Sequence, residues 1–245
     1  MPRERTPWLI GWEAAKANAA PALVLQVIML ALLLAYYFHP PSAAVLNTLA
    51  NYKQQHGLAF VLITSVIVGA VLPELFVIMF FQHGRPCIEN GCNFIFNAPF
   101  WAFDGFLVNL MYRLLAMWLG DRVSLSIVTA KIVIDQFGYN PFFAAPYGIW
   151  GYAWKNNGYS WSKLRPLLTW KYYRAHALPV MVATWAMWVP LMAIIYCLPL
   201  ALQFPLFALA LAFWVLMMTY MTNRFAERHR SLITTPVEIP VQIAD

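Results

Sequence analysis

Charge is what this sequence has least of. Asp, Glu, Lys and Arg make up 11% of 245 residues, hydrophobic residues make up 62%, and the mean hydropathy is +0.61. No soluble domain of this length has a core large enough to hide that much apolar surface, so a water-soluble globule is excluded and lipid is the expected solvent. Nucleic acid is excluded as a partner as well. The net charge of +6 is spread singly over connectors, with no basic stripe interleaved with aromatics.

Cysteine is equally scarce. Cys87, Cys92 and Cys197 form neither a disulfide framework nor a zinc set, because no second pair or His pair stands at ligand spacing. Cys87 and Cys92 are near enough in sequence to close a small loop, but two free thiols in a reducing compartment is the preferred reading. Enzyme signatures are missing too: there is no P-loop, no G-x-G-x-x-G after a strand, no H-E-x-x-H and no G-x-S-x-G. His39, His56, His83, His176 and His229 lie scattered near segment ends or in connectors, which sets aside haem or a metal. The expectation is a non-enzyme without cofactor or metal.

What the chain does have is six long apolar stretches, at about 20 to 38, 58 to 81, 94 to 119, 124 to 152, 177 to 200 and 204 to 222. Each is near or above the roughly 20 residues that cross hydrocarbon as a helix, which predicts an all-α, polytopic transmembrane bundle. The run from Ala22 to Phe38 is longer than a signal peptide's apolar segment and reads as a retained first span. Ahead of it, Trp8, Leu9, Trp12 and Lys16 suggest an interfacial amphipathic lead-in within residues 1–19. The fourth stretch is overlong and punctured by Gly138, Pro141, Pro146 and Gly148, so a kink or break is expected there. Pro199 and Pro205 flank an expected tight turn over Leu202 and Gln203. Residues 223–245 read as a polar tail, disordered from Ser231 to Asp245, and 1–245 as a single integral membrane domain.

Orientation follows from the basic residues. With the N-terminus inside, the inner face collects Arg3, Arg5, Lys16, Arg85, Lys155, Lys163, Arg165, Lys171, Arg174, Arg224, Arg228 and Arg230, and the outer face only Lys53 and Arg122. Twelve against two predicts both termini inside. Trp150, Trp154, Trp161 and Trp170 are then an inner aromatic belt around an interfacial segment from Ser160 to His176.

Five charges remain within the apolar stretches: Glu74, Asp104, Arg113, Lys131 and Asp135. Each costs on the order of 3 kcal/mol near the bilayer centre, so each needs a partner or water. Lys131 and Asp135 share a helix face at i,i+4, in the weaker orientation, which leaves Asp135 free to pair with Arg113 in the outer half. A charged vestibule and a packing ion pair are both open readings. Glu74 and Asp104 fall in the inner half without a basic residue at their depth. They either face a common wet cavity, carrying protons or attracting cations, or are neutral acids bonded to Asn97, Asn109 or a carbonyl freed by Pro73.

On the third span, Asn97, Trp101 and Asp104 project to one side and Asn109 and Arg113 to the other, as in a helix central to a bundle. On the fourth, Gln136 and Asn140 form a second polar pair beside the Gly138 to Pro141 weakness, the kind of interruption where transporters expose backbone to ligands. Trp185 and Trp188 are read as packing or anchoring residues, with a pocket wall as the alternative.

Three stretches resemble the Mpv/PMP family of peroxisomal and mitochondrial inner-membrane proteins. Ala98-Pro99 through Tyr112-Arg113-Leu114-Leu115 to Gly120-Asp121 is similar to the family's Gly-Pro helix. Lys131-Ile132-Val133-Ile134-Asp135-Gln136, followed by Pro141, matches its Lys-x-x-x-Asp-Gln element. Trp185, Trp188, Pro190, Tyr196 and Leu198-Pro199, then Phe213-Trp214 and Thr219-Tyr220, resemble its Trp-Pro to final Trp signature. Departures are Ile194 and Ile195 in place of Asn-Phe and Gln203 in place of Arg. The resemblance spans about residues 97–222 and implies a small helical channel or pore-like protein for small solutes, with Lys131, Asp135, Gln136 and Pro141 as its carried-over residues.

The combined expectation is a channel or permease for small polar or ionic solutes, with a non-transporting scaffold or assembly factor as the alternative. Its pathway candidates are Glu74, Asp104, Arg113, Lys131, Asp135, Gln136 and Asn140, and its kink residues Pro73, Gly138 and Pro141. Expected partners are the lipid bilayer and a small solute, with a homo-oligomer left open. The expected location is the inner (plasma) membrane of a bacterium, or a mitochondrial or other organelle membrane of a eukaryote.

Overall fold

Leu, Ala and Met are strong helix formers and an apolar medium forces the backbone to satisfy its own hydrogen bonds, and a computed structural model, which describes residues 6–234, is helical almost throughout. No strand occurs among the described residues. In chain order the α-helices are α1 (Pro7–Ala17), α2 (Ala19–Phe38), α3 (Pro40–Val66), α4 (Leu72–Phe80), α5 (Ile88–Leu119), α6 (Leu125–Val133), α7 (Ala145–Asn156), α8 (Trp161–Leu164), α9 (Trp170–Tyr196) and α10 (Leu200–Thr234). Two π-helical segments, Ile67–Val71 and Ile134–Ala144, join α3 to α4 and α6 to α7 without a break.

Five helical stretches are long and apolar enough to cross a bilayer: Ala19–Phe38, Pro40–Phe80, Ile88–Leu119, Trp170–Tyr196 and Leu200–Met217. Their outward faces stay apolar. Phe38 is 80% exposed, Ile95 73% and Met79 65%, an arrangement that water penalises and lipid accepts.

Local chemistry sets the ends. Ser124 and Thr169 cap α6 and α9 by accepting from the backbone N–H of Ile127 and Tyr172, at 3.4 and 3.2 Å. Cys87 heads α5 in a reciprocal cap with Asn90, whose Oδ1 accepts the Cys87 N–H at 2.8 Å. All three cysteines are free, Cys87 and Cys92 exposed.

Several expected boundaries are corrected. The outer connector before residue 58 is itself helical, and α3 turns sharply at Gly57, where φ is +52° and ψ −121°. That left-handed position suits glycine, and the second apolar stretch begins one residue later. The break expected around Gly138 and Pro141 is a π-helical segment inside a continuous helical stretch, 125–156. The fifth helix starts at Trp170, earlier than expected, because the presumed interfacial segment is only α8 and a 3-10 turn, Arg165–Leu167. The α9–α10 turn is Cys197–Pro199, with Gln203 already inside α10 and its Nε2 bonded to the Leu198 carbonyl at 2.9 Å. The last helix runs to Thr234, so the expected disordered tail is helical in its first four residues. Its remainder, with Arg3 and Arg5, lies outside the described residues, as do the side chains of Arg224, Arg228 and Arg230.

α9 is the hub, packed by α1, α2, α6 and α7, while α10 packs on α3, α4 and α5. Met29, Val61, Leu115, Met187, Leu191, Ile195 and Leu202 fill the centre, each at most 1% exposed. The lead-in helix α1 is more than an interfacial float. It lies along α9 so closely that a Cβ on Gly11 would stand 2.7 Å from the Pro179 carbonyl oxygen. Its Trp8 and Trp12 remain about half exposed.

Helix prolines strip the backbone of donors, and at three carbonyls side chains from neighbouring helices replace them. In the second π segment the Gln136 carbonyl would bond residue 141, which is proline; Trp185 Nε1 donates to it instead, at 2.9 Å. The Pro141 carbonyl faces the same problem at Pro146, and the Tyr173 hydroxyl supplies the bond. Pro190 orphans the Ala186 carbonyl, which Gln26 Nε2 reaches at 3.2 Å. Trp185 is thus a cap for an interrupted helix. Trp185→Phe keeps the ring and removes only the donor, and the expected loss is about 1 kcal/mol, seen as a lower Tm in detergent.

Candidate functional site

The π segment positions the site. Asp135 and Tyr139, and likewise Gln136 and Asn140, stand four residues apart and share a helix face, and all four line one cavity along this segment. Facing them, α5 presents Asp104, Val108, Met111 and Tyr112, spaced i, i+4, i+7 and i+8 on one stripe. From α9 come Thr184, Trp188 and Met192, and Phe207 of α10 closes one wall. The cavity has a volume of about 150 Å³, room for roughly five waters at about 30 Å³ each.

Its polar groups divide into satisfied and unsatisfied. Asp135 Oδ2 accepts from the Tyr196 hydroxyl at 2.8 Å, and Tyr112 Oη lies 3.8 Å from Met192 Sδ. Gln136 Oε1 and Tyr139 Oη are buried without a hydrogen bond among the described residues. Asp104 likewise forms no hydrogen bond or ion pair among them. An orphaned amide oxygen, a phenol and a carboxyl on facing walls of one cavity require water or a polar ligand between them.

The other predicted residues are distributed differently from expectation. Asp135 does not pair with Arg113. Lys131, only 2% exposed, lies 3.6 Å from Asp121 Oδ1 in the loop after α5 and 5.9 Å from the centre of the Tyr196 ring. Arg113 is on the opposite side of α5, lining a second cavity with Lys53. Glu74 bonds Asn90 Nδ2 at 2.7 Å, in place of the expected Asn97, Asn109 or Pro73-freed carbonyl. Asn97 accepts from the Tyr152 hydroxyl at 3.2 Å. Pro73 stands just after the first π segment, so its disruption takes the form of a widened turn. Asp104, Asp135, Gln136 and Asn140 are therefore brought together; Glu74, Arg113 and Lys131 are not.

The sequence reading missed Tyr139, Thr184, Tyr196 and Asp121. Tyr139 stands four residues after Asp135 and was legible by spacing. Tyr196 and Asp121 were not, because their roles depend on which helices are neighbours. No group of three His, Cys, Asp or Glu converges among the described residues.

The chain matches no protein-family model, and no curated protein and no solved structure shows similarity to it.

Proposed function

We propose that this chain is a six-span integral membrane protein of the inner-membrane type, with both termini inside, that passes small polar or ionic solutes as a channel or permease. The sixth span in this reading is the continuous helical stretch 125–156, long enough at about 1.5 Å per residue to cross roughly 30 Å of hydrocarbon. The observation that carries the reading is the polar cavity at the π segment, where the Asp104 carboxyl, Gln136 Oε1 and Tyr139 Oη converge without a hydrogen bond among the described residues. Interrupted helices with free polar groups inside apolar bundles are characteristic solute sites. The run resembling the Mpv/PMP family falls on this segment, with Asp135 and Gln136 on the cavity and Pro141 among the residues of the π helix; a place in that family rests on the sequence resemblance alone. Two carboxyls on the wall favour protons, cations or polar neutral solutes over anions.

Lys131 and Glu74 support the second reading, a scaffold, since both are held by protein partners and touch no part of this cavity.

The test is a proteoliposome flux screen that compares cationic, neutral and anionic solutes for the native protein, Gln136→Leu and Asp104→Asn. Native flux above empty vesicles is expected, falling on the order of tenfold in Gln136→Leu, which corresponds to about 1.4 kcal/mol. Absence of any solute flux from correctly folded native protein refutes the channel reading and leaves the scaffold.

A further inference from the structure

The face of α5 turned away from that cavity carries a different chemistry. Asn109 and Arg113, one turn apart, meet Lys53 and Gln54 of α3 around a cavity of about 210 Å³, opened by the sharp turn at Gly57. Lys53 and Asn109 are each 8% exposed. Lys53, Asn109 and Arg113 make no hydrogen bond or ion pair among the described residues, and no carboxylate lines this cavity. A buried ammonium that shares a cavity with an exposed guanidinium and two amides, with no carboxylate on the lining, leaves the site with uncompensated positive charge that favours an anion.

We propose that this cavity binds an oxyanion of the phosphate class. Lys53 and Arg113 supply charge from the two walls, the Arg113 fork suits two oxygens at once, and the amide groups of Asn109 and Gln54 add donors for the others. Arg113 lies six residues before the end of α5, about 9 Å along the helix axis. At that depth the phosphate of a lipid headgroup and a soluble phosphate both have access. Leu58, Phe106 and Leu110 complete the lining, apolar surface fit for glycerol or acyl carbons next to the headgroup.

The site is independent of the solute pathway, because it uses the other side of α5 and shares no residue with it. The experiment uses the full chain in detergent, with two probes: inorganic phosphate, titrated against chloride at constant ionic strength, and phosphatidylglycerol, followed as bound lipid by native mass spectrometry. At least one probe is expected to bind and to raise the Tm. Lys53→Gln and Arg113→Gln each weaken it by about tenfold or more, and Lys53→Arg retains it. Binding of phosphatidylglycerol alone assigns a lipid headgroup, and binding of phosphate assigns a soluble anion. Arg113→Gln alters an exposed side chain and keeps the test decisive if Lys53→Gln fails to fold. No binding of either probe to the native protein, or equal binding in Arg113→Gln, overturns the proposal.

Discussion

Gly69→Ala is expected to be among the most destabilising single-methyl additions in this protein, lowering stability by about 3 kcal/mol. The reason is the contact between the first π segment and α5. A Cβ on Gly69 would stand 2.1 Å from Cγ of Trp101 and 2.4 and 2.6 Å from two further ring atoms, so the indole has to leave its place. One turn earlier the relationship is reversed in kind: Gly105 of α5 would place a Cβ 1.8 Å from Ser65 Oγ. Residues 65 and 69 thus meet 105 and 101 in an antiparallel ladder, with a glycine at each rung. Small residues at such spacing let membrane helices approach closely, and packing is the main attraction available between helices in lipid. Thermal or denaturant unfolding in detergent measures the effect. Trp101→Leu, which vacates the space, is expected to restore part of the loss in the double variant. Full native stability in Gly69→Ala would show that the two helices do not meet in this register.

How much of this was legible in the sequence depends on what kind of information each feature needs. Apolar length is local, so the five strongly apolar helices were readable, and Gly57 marked the start of the second stretch even though the helix ahead of it was taken as a connector. Helical period is local as well: it put Asp104 and Arg113 on opposite faces of α5, and each faces a different cavity. The helical character of Pro40–His56 was hidden by its Asn, Gln and Lys content, which reads as loop when the neighbouring surface of α5 is unknown. Partner choice was out of reach for the same reason. Asp121 looks like a loop residue and Lys131 like a span residue, and only the close packing of the α5–α6 connection puts them 3.6 Å apart. The π segment was visible as a weakness at Gly138 and Pro141. Its consequence, two orphaned carbonyls closed by Trp185 and Tyr173, required α9 to lie alongside it.

That partner choice leads to the second large effect. Asp121→Asn is expected to lower stability by about 1–2 kcal/mol, and Lys131→Met to be neutral or stabilising. Lys131 is 2% exposed, whereas Asp121 is 47% exposed, so solvent screens the acid's half of the pair, and the loss falls below the roughly 3–5 kcal/mol typical of a fully buried pair broken on one side. What makes Asp121→Asn harmful is the ammonium it leaves behind in an apolar site. Lys131→Met removes that ammonium at nearly constant length, and so should suppress Asp121→Asn in the double variant. Unfolding midpoints of the two single variants and the double variant form the required cycle. The same proteins carried into liposomes divide the two roles that the sequence left open for Lys131. As a brace, the double variant keeps the native solute preference, because neither side chain touches the cavity lined by Asp104 and Gln136. A changed ratio of cation to anion flux in a variant of native stability would instead make Lys131 part of the pathway and move the solute route toward the Asp121 loop.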